Sequence, residues 1–261
     1  MHSRYRGHSI AILMYHSISD RVETQLHPYF KTVTAPARFA QQMQWLADEG
    51  AEVAELDAWK SPFTEKHALR VIITFDDGFA DFLPNAFPVL RAHGYPATMF
   101  LPTAFIETGK ELLTGVKHLK WSDVRQLSLS GIHFGSHTVS HRHLDTLSRR
   151  EIYEEVKMSA ETIKAHGDGK VTSFSCPFAF PQAHPATISA LRESLADCGY
   201  TVAVTTKIGT ASLRDDPLTL NRVPVNEDDD KKLFMAKLNG GYNWLNGMQR
   251  VVRCAKKVLH R

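Results

Sequence analysis

"VIITFDDG", Val71 to Gly78, decides how the chain is read. Five residues that favour strands form a run too short for a helix, and Asp-Asp-Gly stops it. A continuous apolar run of this length reads as a strand buried on both faces, as in a parallel sheet. Outward from it the same alternation repeats. Upstream lie the strand "SIAILMY" and the helix "PARFAQQMQWLADEG", with Pro36 in its first turn and Gly50 as its stop. Downstream, "FLPNAFPVLRAHG" reads as one helix ending at Gly94, with Pro84 and Pro88 near its start, followed by the strand "ATMFLP". "WSDVRQLSLSG" is a helix and "IHFGS" a strand. The next helix opens on a capping box, Ser148 and Glu151, and sets Ile152, Val156 and Ile163 on one face. "TSFSC", the helix "PATISALRESLADCG", "TVAVTT" and "LTLNRVPV" complete the series. Strand–helix alternation predicts α/β architecture, either a mainly parallel sheet or a barrel. Both put ligands at the carboxyl ends of the strands.

Bulk properties narrow the class. At 261 residues, 43% hydrophobic and 23% charged, the chain fits one globular domain. A net charge of +3 gives no ground for a nucleic-acid partner. Cys176, Cys198 and Cys254 are far apart and form neither a CxxC pair nor an even disulfide framework, which fits a reducing compartment. No apolar run approaches the length of a membrane span. "MHSRYRGHSIAILMYH" sets basic residues before an apolar stretch, but the stretch is short and ends in Tyr-His, so a strand is expected and not a signal peptide. The expected location is cytoplasmic.

Two segments carry chemistry. Asp76 and Asp77 follow the central strand, where neighbours point to opposite sides. They make a poor pair for attacking one glycosidic bond and suit two jobs, one on a metal and one on a water. Asp-Asp-Gly is also ordinary turn chemistry. In "GSHTVSHRHL", His137 and His141 are four apart, with His143 close behind. Two imidazoles and a carboxylate make a three-ligand zinc site with an open position. Chance clustering is the plain reading in a chain with 14 histidines. No Glu follows His137 as in zinc-protease helices, so a base must come from elsewhere.

"TFDDG" followed by "HTVSHRHL" resembles the first two motifs of the polysaccharide deacetylase family, the NodB-like carbohydrate esterases, over roughly residues 10–225. The resemblance implies a distorted (β/α) barrel of about seven strands, a divalent metal, commonly zinc, and removal of N-acetyl or O-acetyl groups from sugars. It implies Asp76 as general base and Asp77, His137 and His141 as metal ligands. "FSCPFAFP" resembles the third motif, a groove wall in which Pro177 and Phe178 face substrate and offer a backbone N–H to the reacting carbonyl.

Three features depart from the family pattern. Ser175 stands where the third motif often has arginine, "TVAVTTKIG" does not match the fourth motif, and Arg222 stands where the fifth has its acidic-proton histidine. A subgroup resembling poly-N-acetylglucosamine deacetylases instead begins with a Tyr-His strand. "ILMYHS" fits that pattern and makes His16 the expected general acid, since an imidazole can protonate a leaving amine. Arg222, on the substrate side, would steady Asp76 in place of the absent arginine.

The chain is thus expected to be a metal-dependent deacetylase of an amino sugar, polysaccharide or lipid-linked saccharide, in bacterial polysaccharide biosynthesis. The rivals are a sugar deformylase or O-deacetylase, a carbohydrate-binding pseudoenzyme, and a barrel with structural histidines. Residues 1–235 form the expected catalytic domain and residues 236–261 a basic amphipathic extension. In the latter, "NWLNGMQRVVRCAKKVLHR" reads as a helix that either packs on the barrel or touches an anionic membrane surface. His93, His118, His133, His166 and His184 are expected in solvent, His143 at the rim, and Trp121 and Trp244 in packing.

Overall fold

A computed structural model describes residues 9–23, 31–62, 69–112, 115–167, 170–247 and 249. Seven parallel strands close into a barrel: β1 (Ser9–Tyr15), β5 (Arg70–Phe75), β6 (Ala97–Leu101), β7 (Ile132–Ser136), β8 (Ser173–Ser175), β9 (Val202–Ile208) and β11 (Leu220–Pro224). Closure is made by β1, which pairs with β5 on one side and β11 on the other. Two short strands flank the ring, β4 (Glu52–Val53) beside β5 and the antiparallel β10 (Ala211–Ser212) beside β1. A two-stranded ribbon, β2 (Ser17–Ile18) with β3 (Val33–Thr34), follows β1.

Strand periodicity sorts the core into two layers. Ile10, Ile12, Ile72, Phe100, Val202, Val204 and Leu220 fill the barrel interior. Their neighbours Ala11, Leu13, Val71, Ile73, Met99, Leu101 and Ala203 face the helices. The interior is tight at Gly135, where a Cβ would lie 2.6 Å from the Phe100 ring and 2.5 Å from Ser173 Oγ. Only glycine fits there.

The helices are α1 (Pro36–Asp48), α2 (Phe82–Asn85), α3 (Phe87–His93), α4 (Trp121–Ser128), α5 (Arg149–His166), α6 (Pro185–Asp197) and α7 (Lys231–Leu238). The single helix expected from Phe82 to Gly94 is two, broken at Ala86. Proline favours a first turn, and the second helix begins with Pro88 in its first turn. It ends on Gly94 at φ 65°, the left-handed cap that glycine adopts without strain. The Ser148–Glu151 capping box opens α5 as expected.

The expected division at residues 235/236 falls inside α7, which buries Phe234 and Leu238 in the core on either side of it. Of the expected C-terminal helix, residues 244–247 and 249 are helical, while 248 and 250–261 lie outside the described residues. Trp244 is exposed and not packed. Among the described residues, no helix is long and apolar enough to cross a membrane.

Candidate active site

Strand parity aims the chemistry. Ile10 and Ile12 point into the barrel, and continuing in steps of two brings Met14 and then His16 to its mouth. On β5 the same steps run from Ile72 through Thr74 to Asp76. These side chains meet at the carboxyl ends of the strands, in a cavity of about 430 Å³. Its polar floor is His16, Asp76, Asp77, His137 and His141. Met14, Leu112, Phe178, Ile208 and Val225 form an apolar wall.

Asp76 and Asp77 were expected on opposite sides, yet both line this cavity. The reason is a backbone reversal: Asp77 has φ 71° and Gly78 φ 63°, so the chain turns back at the strand end. Thr138 (φ 68°), His141 (φ 53°) and Phe178 (φ 53°) share that left-handed conformation. Such non-glycine residues cost on the order of 1–3 kcal/mol each and tend to collect at functional sites.

Asp77 Oδ1 lies 3.5 Å from His137 Nε2 and 3.2 Å from His141 Nε2, and the two Nε2 atoms are 3.2 Å apart. His137 Nδ1 is 2.8 Å from the carbonyl oxygen of Ser175. That partner can only accept, so Nδ1 carries the proton and Nε2 presents its lone pair to the cluster. Asp77 Oδ1 is buried with no hydrogen-bond donor that satisfies it. Donors about 2.0–2.1 Å from a tetrahedral zinc ion are separated by roughly 3.3 Å, so the triangle fits that ion's coordination edge. Burial raises the Asp77 carboxyl, but the adjoining His137 and His141 rings outweigh it and hold the group well below its ordinary value. His137 is raised: burial works against its charge, and the neighbouring Asp76 and Asp77 carboxylates prevail. Burial lowers His141. Among the described residues, Asp77, His137 and His141 are the His/Cys/Asp/Glu group whose donor atoms converge, all within 4.8 Å.

Asp76 is held by Arg222 in a two-pronged pair, Nη1 donating to Oδ1 at 2.8 Å and Nη2 to Oδ2 at 2.6 Å. The other three guanidinium protons go to Thr205 O (3.0 Å), Thr74 Oγ1 (3.2 Å) and Ser175 Oγ (3.0 Å). All five donors are therefore used, which a fully buried guanidinium requires. Burial raises Asp76, but the Arg222 charge overcomes it and leaves the carboxyl below its usual range. Arg222 was expected on the substrate side. It lies beneath the cavity floor instead, because its β11 position points along the barrel interior. His16 Nε2 is 3.9 Å from Asp76 Oδ2, and its side chain is one-fifth exposed.

Pro177 is buried, whereas Phe178 is exposed at the mouth, 4.5 Å from the His141 ring. His143 stacks on Phe178 at 3.8 Å, a rim position outside the metal-ligand group. His118 departs from its expected solvent position. It is buried against Phe79 and Phe105, and burial lowers its pKa. Trp121 is buried and stacks on His166. Thr74, Thr205 and the cavity wall at Ile208 and Val225 escaped the sequence reading. Only the period-two step back from Asp76 would have pointed to Thr74.

Several known proteins share this architecture. The Streptococcus pyogenes deacetylase PplD, solved with acetate, aligns at TM-score 0.74 and 24% identity, over 89% of this chain and 99% of that one. IcaB from Ammonifex degensii aligns at TM-score 0.71 and 21% identity, over 90% and 99%. In sequence, the putative polysaccharide deacetylase YxkH of Bacillus subtilis is 29% identical over 83% of this chain and 71% of its own length. The poly-β-1,6-N-acetyl-D-glucosamine N-deacetylase of Escherichia coli K12 is 27% identical, but the match spans 48% of this chain and only 20% of that protein. The polysaccharide deacetylase family model matches residues 64–203, a stretch that holds Asp76, Asp77, His137, His141 and Phe178 and stops short of His16 and Arg222. With more than half of its length under that model, the chain belongs to the polysaccharide deacetylase family.

Proposed function

We propose that the chain hydrolyses the N-acetyl group of an amino sugar within a saccharide, with a divalent cation, zinc by the nature of the donors, held by Asp77, His137 and His141. The convergence of those three donor atoms on the floor of an open cavity carries this reading. A cation bound there supplies Lewis-acid polarisation of the amide carbonyl and acidifies a water.

The chain's own residues divide the remaining work. Asp76, kept ionised by Arg222, takes the proton of the attacking water. Both its oxygens already accept from Arg222, but each keeps a second lone pair for that task. A backbone N–H at Phe178 donates to the carbonyl oxygen as negative charge develops on it. His16, which lines the same cavity beside Asp76, hands a proton to the nitrogen, so that a neutral amine departs and acetate remains. Its partial exposure keeps it within reach of a substrate in the cavity. Phe178 forms the wall against the sugar, while Pro177, expected beside it, is buried behind that wall.

Two relatives favour an N-linked acetyl group. The E. coli enzyme is named as an N-deacetylase of poly-β-1,6-N-acetyl-D-glucosamine, and a Bradyrhizobium relative, 27% identical over 43% of this chain, as a chitooligosaccharide deacetylase. The deciding assay offers the metal-loaded protein N-acetylated, N-formylated and O-acetylated glucosamine oligomers and measures acid release. Acetate from the N-acetylated series alone is the expected result. Preferred release of formate or of O-linked acetate moves the assignment to a deformylase or an esterase. Bound metal without turnover on any substrate makes the chain a carbohydrate-binding protein, and no bound metal makes the histidines structural.

A further inference from the structure

The loop that carries His141 is held from two sides. Thr138 and His141 both sit at positive φ, which side-chain-bearing residues resist, so outside contacts must impose it. On the inner side, Thr103 N–H and Ala104 N–H donate to the carbonyls of Thr138 and Val139 at 3.2 and 2.9 Å. Within the loop, His141 N–H donates to Thr138 Oγ1 at 3.0 Å. On the outer side, the amides of Val139 and Ser140 have left the sheet and need an acceptor. Both donate to Glu155 Oε2, at 2.7 and 2.8 Å, and the Ser140 hydroxyl donates to Glu155 Oε1. Three donors meeting at one point call for a carboxylate, which offers about four acceptor sites.

Glu155 belongs to α5 and does not line the cavity. One turn further along α5, Ser159 Oγ lies 2.5 Å from Ser136 Oγ, which itself accepts the Thr138 N–H at 3.2 Å. The same helix buries Ile152, Val156, Ala160 and Ile163, so it is a rigid base for these contacts.

We propose that Glu155 is the positioning residue of the metal centre. It fixes the turn at residues 138–141 so that His141 Nε2 faces Asp77 and His137, and so sets the affinity for the cation. This inference rests on the cation reading of that trio. A carboxylate that merely stabilised α5 would leave cation affinity unchanged.

The test is Zn²⁺ affinity by chelator competition, with the visible spectrum of the Co²⁺-loaded full chain as a second readout. Glu155→Ala should weaken Zn²⁺ binding by about 10–100-fold, the usual effect of removing a residue that orients a ligand, and should shift the Co²⁺ bands. Glu154→Ala, at the exposed neighbouring position, should do neither. Glu155→Gln, whose amide oxygen can still accept both N–H groups, should recover most of the affinity. Wild-type affinity in a folded Glu155→Ala protein overturns the proposal, as does equal weakening in Glu154→Ala. If Glu155→Ala does not fold, Glu155→Asp decides: the charge stays but the oxygens retreat by one methylene. A tenfold loss then supports the proposal and an unchanged affinity ends it. Wild-type chain that binds no Zn²⁺, or His141→Ala that binds it as well as wild type, instead overturns the cation reading itself. Tight binding that is lost in His141→Ala and intact in Glu155→Ala removes only the role of Glu155.

Discussion

The two halves of the site are built in different ways. Asp77, His137 and His141 come from the ends of β5 and β7, within the stretch that the family model covers. Their geometry is made locally, by reversed backbone at Asp77 and His141 and by the clamped turn between the histidines. His16 and Arg222 come from β1 and β11, outside that stretch. They reach Asp76 only because β1 pairs with both β5 and β11 and closes the ring. The lesson is that strands far apart in the chain can supply one buried charge pair when ring closure aims their side chains along the same axis. The Ser175 hydroxyl on β8 completes this support by accepting a hydrogen bond from Arg222.

The strongest way to break this division is to remove the local half. His137→Ala with His141→Ala should abolish bound zinc and all measurable turnover while leaving the melting temperature near wild type. Stoichiometric metal in that variant would refute the ligand assignment. Next in size is Asp76→Asn, expected to keep metal and lose turnover toward the upper end of the about 10²–10⁴-fold range typical of a proton-transfer group. Near-normal single-turnover rates would show that another group deprotonates the water.

His16→Asn tests the long-range half and should cost nearer the lower end of that range of about 10²–10⁴, with a changed pH–rate profile. A loss under about tenfold with an unaltered profile would make His16 a rim residue. Arg222→Lys should have the smallest effect on turnover, on the order of tenfold, since a lysine keeps the charge but cannot form the two-pronged pair. Arg222→Met sharpens the comparison through stability. It strands a buried carboxylate and should cost about 3–5 kcal/mol in denaturant unfolding. Adding Ser175→Arg to Arg222→Ser, which moves the charge to β8, should restore part of both losses; no recovery in either measurement would show that only the β11 position can support Asp76.

Much of this was legible in the residues. Period-two and helical patterns located the strands and most helices, since each element must bury an apolar face whatever its neighbours. The Asp-Asp and HxxxH segments announced their chemistry because the relevant groups are adjacent or four apart. Tertiary structure alone decided the rest. That Asp76 and Asp77 share a cavity depends on a left-handed turn that tertiary contacts impose and that propensity argues against. The Arg222–Asp76 pair was an expectation of the resemblance, but that Arg222 lies buried beneath the floor and not on the substrate side depends on which strands lie side by side, and separation along the chain says nothing of that. His118 read as a solvated loop residue and is buried, because a ring's environment is set by what folds over it. Glu155 read as one more charge on an amphipathic helix. Its partners are backbone amides, which carry no sequence signature, so only the folded chain could reveal them.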